Sequence, residues 1–201
     1  MRKLVNVFNK SALAAGLLGL AVSGASSADM KFYAGAGLDY AKFGINKGYL
    51  HQGETAKSKG MGLLIPILGV KFNENLGLEA GYSFNKKITI KEAGYEDETF
   101  KVRNFYLDAM GFMPVMDQVE LIGGLGVGKV MLKKGKNIGT NEKLKNSFGF
   151  RVKAGAQYNF TNNFGTRVLL TYQTAGSKFK NSNEKIVKNM KSIGVAATYT
   201  F

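Results

Sequence analysis

Phe148-Gly149-Phe150-Arg151-Val152-Lys153-Ala154-Gly155-Ala156-Gln157-Tyr158-Asn159-Phe160 alternates without interruption. Phe148, Phe150, Val152, Ala154, Ala156, Tyr158 and Phe160 fall on one side of an extended chain. Gly149, Arg151, Lys153, Gly155, Gln157 and Asn159 fall on the other. A period of two is that of a β-strand, whose successive side chains leave the backbone on opposite faces. Aromatic rings mark both ends of the apolar face, and the polar face mixes cations with glycines. The rest of the chain decides which face is inside.

The pattern recurs on both sides of this stretch. At the C-terminus, Ile193, Val195, Ala197, Tyr199 and Phe201 alternate with Ser192, Gly194, Ala196, Thr198 and Thr200. Leu76, Leu78, Ala80, Tyr82 and Phe84 oppose Gly77, Glu79, Gly81 and Ser83. Phe32, Ala34, Ala36, Leu38 and Tyr40 oppose Tyr33, Gly35, Gly37 and Asp39. Val119, Leu121, Leu125, Val127 and Met131 oppose Glu120, Gly124, Gly126 and Gly128; Val168, Leu170 and Tyr172 oppose Arg167, Thr171 and Gln173. Less regular segments near 61–72 and 99–113 bring the number of predicted strands to eight. Pro66 interrupts the first of these. Proline cannot donate to a ladder, so a bulge is expected there.

The breaks alternate in length. Asn73–Asn75, Pro114–Gln118 and Thr161–Asn163 are short and rich in turn formers, whereas about 42–60, 85–98, 133–146 and 177–190 are long and polar. Three short turns and four long loops are what eight up-and-down strands need when both termini lie at one end. Outer-membrane barrels carry their short turns on the periplasmic side and their long loops outside.

Residues 1–28 read as an address. Arg2, Lys3 and Lys10 make a basic start, Ala12–Val22 is apolar, and Ser26-Ser27-Ala28 offers small residues before a cut. This is the order of a secretory signal peptide; the apolar stretch falls short of the roughly 20 residues of a membrane-spanning helix. Cleavage after Ala28 is expected, leaving 29–201 as one barrel domain. A soluble lipocalin-like barrel would need an apolar interior and would bury the aromatic ends. The signal peptide and the C-terminal Phe201 favour the inverted arrangement, apolar toward lipid and polar inward. The expected fold is therefore all-β: an eight-stranded antiparallel transmembrane β-barrel with a polar interior, short periplasmic turns and four long outer loops.

Phe32-Tyr33-Ala34-Gly35-Ala36-Gly37 and Gly69–Glu79 resemble the first hairpins of small OmpA-like and opacity-type outer membrane barrels. Gly123–Gly128 and Ala154–Asn163 do so as well. The resemblance spans the chain beyond residue 28. It implies export, insertion by the outer-membrane assembly machinery, and residence in the bacterial outer membrane with loops at the cell surface. Tyr199 and Phe201, closing an alternating apolar run, resemble the terminal signal that this machinery reads.

Little here suggests catalysis. There is no cysteine and a single histidine, His51, which excludes thiolate and multi-histidine metal sites. His51 stands in a long loop without a companion motif. Gly123–Lys129 has the spacing of a phosphate loop, but Val130 occupies the magnesium-binding position and no helix follows. Neither an enzyme nor a cofactor is expected. Asp39, Glu79, Asp108 and Glu120 share the inward face with Lys71, Arg151, Lys153 and Arg167. Eight strands enclose a lumen that side chains fill, so these charges are expected to pair rather than line a pore.

The formal charge is +14, of which Arg2, Lys3 and Lys10 supply three, leaving +11. Much of it falls in the predicted loops: Lys47, Lys57 and Lys59; Lys133, Lys134, Lys136, Lys143 and Lys145; Lys178, Lys180, Lys185 and Lys188. A basic outer rim suits lipopolysaccharide phosphates, or acidic glycan or protein on a host surface. Nucleic acid is not an expected partner, because the basic segments lack aromatic platforms. The expected function is a monomeric surface interaction or adhesion protein. The alternative is a structural component or a minor narrow porin.

Overall fold

The computed structural model describes residues 30–45, 55–57, 59–91, 98–134, 144–179 and 185–201. The predicted signal segment, His51, Lys47, Lys136, Lys143 and Lys180 lie outside the described residues. Eight long strands form the wall: β1 (Lys31–Ile45), β2 (Lys59–Lys71), β3 (Leu76–Lys91), β4 (Glu98–Met116), β5 (Val119–Lys134), β6 (Ser147–Asn159), β7 (Phe164–Phe179) and β8 (Lys185–Thr200). Each pairs antiparallel with its sequence neighbour, and β8 returns to β1 with Tyr33 opposite Thr200 and Ala41 opposite Ser192. Closure leaves no free edge among these eight strands, which hydrocarbon requires because it cannot hydrogen-bond a free backbone group. Two short pieces extend the wall: Thr55–Lys57 pairs with β3, and Leu144–Lys145 pairs with β7.

The two faces separate as the alternation predicts. Phe150 is 73% exposed and Val152 48%, while Arg151 between them is 6% and Arg167 1%. Leu38, Leu68, Leu107, Leu125, Leu170 and Val195 join the outward apolar face. Aromatic residues gather toward the turn end: Tyr158 and Phe160 lie 5.0 Å apart, Phe160 and Phe164 5.7 Å, and Tyr199 and Phe201 5.2 Å. Such rings suit the boundary between hydrocarbon and headgroups.

The short turns are held by their own side chains. Asn73 Oδ1 accepts the backbone N–H groups of Asn75 and Leu76, each at 2.8 Å. Thr161 Oγ1 accepts from Phe164 at 3.0 Å. The middle turn is tighter than the sequence suggests. β4 continues through Pro114 with a register shift to Met116, so that only Asp117 and Gln118 form the turn. Pro66 sits where the ladder jumps: Gly35 pairs with Ile67 but Gly37 with Leu64, and the Ile65–Pro66 peptide is cis.

At the other end the strands run well past the predicted boundaries. β1 reaches Ile45, β3 reaches Lys91, β5 reaches Lys134 and β7 reaches Phe179. Lys57, Lys59, Lys133, Lys134, Lys145, Lys178, Lys185 and Lys188 are thus strand residues rather than loop residues. A polar strand above the membrane has water on its outer face. It therefore loses the apolar alternation that makes a strand legible.

Candidate functional site

The lumen is organised around Glu79 of β3. Two glycines prepare its surroundings. Gly69 lies opposite Tyr33 and Gly81 opposite Tyr106, and a Cβ on either glycine would run into the facing ring. Without those side chains, both rings lie against the wall and both hydroxyls donate to Glu79. Tyr33 reaches Oε2 at 2.9 Å and Tyr106 reaches Oε1 at 2.9 Å. Lys153 Nζ from β6 donates to Oε1 at 2.8 Å, and Arg167 Nη2 from β7 lies 2.6 Å from Oε2. One fully buried carboxylate thus joins strands β1, β3, β4, β6 and β7 across the interior.

Asp108 of β4 extends the cluster. Arg151 Nε donates to its Oδ2 at 2.9 Å, and Lys153 Nζ lies 2.6 Å from the same oxygen. Arg151 also stacks over the Tyr106 ring, 4.0 Å from its centroid. Toward the loop end, Asn104 and Gln173 exchange amide hydrogen bonds of 3.0 Å in both directions. Toward the turn end, Lys71 donates to both oxygens of Glu120 at 3.0 Å and covers the Phe112 ring at 4.1 Å. Asp39 is buried; with Arg151, Ser83, Asn104 and Thr171 it lines a cavity of about 20 Å³. That is room for about one water molecule.

All eight predicted inward charges therefore face the lumen. Five of them form two groups, Glu79–Lys153–Arg167 and Asp108–Arg151, joined through Lys153; Lys71–Glu120 stands apart. Burying two unlike charges repays their desolvation only when geometry and extra hydrogen bonds are good. The tyrosines supply those extra bonds. Sequence reasoning did not identify Tyr33, Tyr106, Asn104 or Gln173 as members. Tyr33 was visible on the polar side of its alternation, whereas Tyr106 and Asn104 lay in the irregular 99–113 segment.

The interior is also less uniformly polar than the alternation implies. Phe43, Phe100, Val102, Val130, Leu132 and Met190 are buried inside the loop end of the barrel as one apolar cluster. A second cluster, including Leu64, Ile67, Met110, Ile122 and Leu169, packs around the charged centre. The charged layer and the apolar layer above it occlude the lumen in series. Among the described residues, no group of three or more His, Cys, Asp or Glu side chains could hold a metal ion. Gly123–Lys129 lies within β5, and Lys129 sits over the Phe148 ring at 5.4 Å, outside the lumen.

A closed antiparallel wall, apolar outside and ion-paired within, defines a transmembrane β-barrel of the bacterial outer membrane. The chain belongs to the outer membrane protein β-barrel domain family, which matches residues 11–201. Solved structures agree on the fold. OprG from Pseudomonas aeruginosa superposes with a TM-score of 0.63 at 17% identity, covering 86% of this chain and 96% of that one. Ail of Yersinia pestis, the attachment invasion locus protein, solved with the heparin analogue sucrose octasulfate, gives 0.56 at 18%, covering 86% and 99%. Neisserial surface protein A gives 0.56 at 19%, covering 84% and 95%. No curated protein matches the chain.

Proposed function

We propose that this barrel is a surface interaction protein, exported by cleavage after Ala28 and inserted with its four long hairpins at the cell exterior. There it attaches the cell to acidic glycan or protein. The carrying observation is the occluded lumen: Glu79, Asp108, Lys153 and Arg167 are at most 2% exposed. With the middle of the cylinder filled, recognition falls to its ends, and the long hairpins are rich in lysine. Ail was solved with a sulfated heparin analogue; at 18% identity that likeness concerns the fold, so lysine chemistry carries the reading here. The same occlusion weighs against the narrow-porin alternative.

Lysine is a hydrated point charge on a flexible stem, suited to loose contact with many anions. Changing Lys136, Lys143 and Lys145 to Gln is expected to weaken attachment to immobilised heparin about tenfold. Each exposed charge pair contributes about 0.5 kcal/mol. High salt should remove most of the binding, because exposed charges are screened within about 8 Å at physiological ionic strength. Urea midpoints should not move. Attachment that survives both the substitutions and high salt argues against this reading.

The assembly step can be tested at the C-terminus. Phe201 N–H donates to Phe32 O at 2.8 Å, and its ring is 73% exposed beside Tyr199. We propose that these two rings are read by the assembly machinery. Phe201→Asp is then expected to leave most of the protein as protease-sensitive periplasmic precursor. Normal amounts of heat-modifiable barrel would refute the assignment.

A further inference from the structure

Six lysines occupy adjacent positions around the outside of the wall. Lys42 of β1 is paired directly with Lys59 of β2 on one side and Lys191 of β8 on the other. Lys101 of β4 is likewise flanked by Lys87 of β3 and Lys133 of β5. The two triplets stand at one level: Lys57 pairs with Thr89, and Lys59 and Lys87 lie two residues from these partners. The collar therefore crosses six consecutive strands, β8-β1-β2-β3-β4-β5. All six side chains are exposed. They point outward, since the residues beside them, such as Ala41, Phe43, Phe100, Val102 and Leu132, are buried in the lumen. None forms an ion pair with a carboxylate among the described residues.

Directly opposed side chains on neighbouring strands stand about 5 Å apart, and like charges there repel. A row of three such cations is stable when an anion sits across it. Position indicates which anion. Next to the first triplet, one step toward the turn end, the outward residues are Met61, Tyr40 and Ile193, the last layer of the lipid-facing band. The first triplet thus stands where hydrocarbon gives way to headgroups; below the second, Arg103 paired with Met131 occupies the corresponding layer, one step above the exposed Phe105.

We infer that this collar is a binding site for phosphate groups of the lipid leaflet at the loop end of the barrel, one phosphate cluster lying across each lysine triplet. Identification of that leaflet as the outer one rests on the orientation given under the proposed function. The six collar lysines hold lipid, and those nearer the hairpin tips, such as Lys136 and Lys143, are left for attachment.

The test uses folded barrel in neutral detergent, mixed with bisphosphorylated lipid A or with the same lipid stripped of phosphate. Bound lipid is counted by native mass spectrometry. The unchanged protein should retain the phosphorylated lipid and release the stripped one. Lys42→Gln/Lys59→Gln/Lys191→Gln and Lys87→Gln/Lys101→Gln/Lys133→Gln should each weaken retention about a hundredfold, from about fivefold per lysine near a charged headgroup layer. Should a triplet variant fail to fold, the central changes Lys42→Gln and Lys101→Gln alone should each cost about fivefold. Lys136→Gln/Lys143→Gln should leave lipid retention unchanged. Equal retention of both lipids, or undiminished retention by the triplet variants, would overturn the inference. Heparin attachment measured on the same variants is a separate readout. Its loss with lipid retention intact overturns the attachment reading alone.

Discussion

Glu79→Gln is expected to lower the unfolding free energy of the barrel by about 3–5 kcal/mol, the cost of removing one partner from a buried ion pair. The change keeps the shape of the side chain and deletes its charge. Lys153 and Arg167 then remain buried, with Asp108 as the one carboxylate near Lys153. The Tyr33 and Tyr106 hydroxyls lose a charged acceptor, and charge-assisted hydrogen bonds are about twice as strong as neutral ones. Urea titration of the barrel refolded into phospholipid vesicles measures the effect. Adding Arg167→Met to Glu79→Gln removes the buried cation whose carboxylate partner among the described residues was Glu79, and should recover part of the loss. An unchanged urea midpoint for Glu79→Gln would mean that the carboxylate is not the hub of the lumen.

The second large effect separates the two faces of a single strand. Val152 faces lipid near the middle of β6, where a charged side chain costs about 2–4 kcal/mol. Val152→Arg should therefore abolish most insertion. Gln157→Arg places the same guanidinium on the inward face, directly opposite Glu120 in the ladder, and should be tolerated. Heat-modifiable mobility of the two variants gives the comparison. Equal yields of folded barrel would contradict the assignment of faces.

Much of this was legible in the sequence, for a definite physical reason. Within the membrane, hydrocarbon on one side and a packed lumen on the other impose opposite demands on successive residues. Phe148–Phe160 and Ile193–Phe201 could be read side chain by side chain. Arg151, Lys153 and Arg167 fall on the face opposite to the apolar one, and cations confined in a filled lumen need carboxylates. The choice of partner was not legible. Lys153 meets both Glu79 and Asp108 because strand stagger sets their heights, and period-two alternation says nothing about stagger. Tyr106 is obscured by the irregularity of 99–113, and Tyr33, although on the polar side of its alternation, gives no sign in the sequence that its hydroxyl meets Glu79. The hairpins beyond the membrane were read too long. Lys87 and Lys133 stand on strand ends with no apolar alternation toward lipid, so these ends looked like loop. The apolar cluster around Phe43 and Phe100 was hidden likewise, since above the membrane the inward face becomes the oily one.

A cylinder filled in the middle can act only through its surfaces. Single-channel recording of the purified barrel in planar bilayers tests this most directly. The occluded middle predicts no discrete conductance steps above membrane leak in molar potassium chloride. Long-lived, reproducible steps from the unchanged protein would contradict it and would make the lumen, rather than the rim, the working part of the molecule.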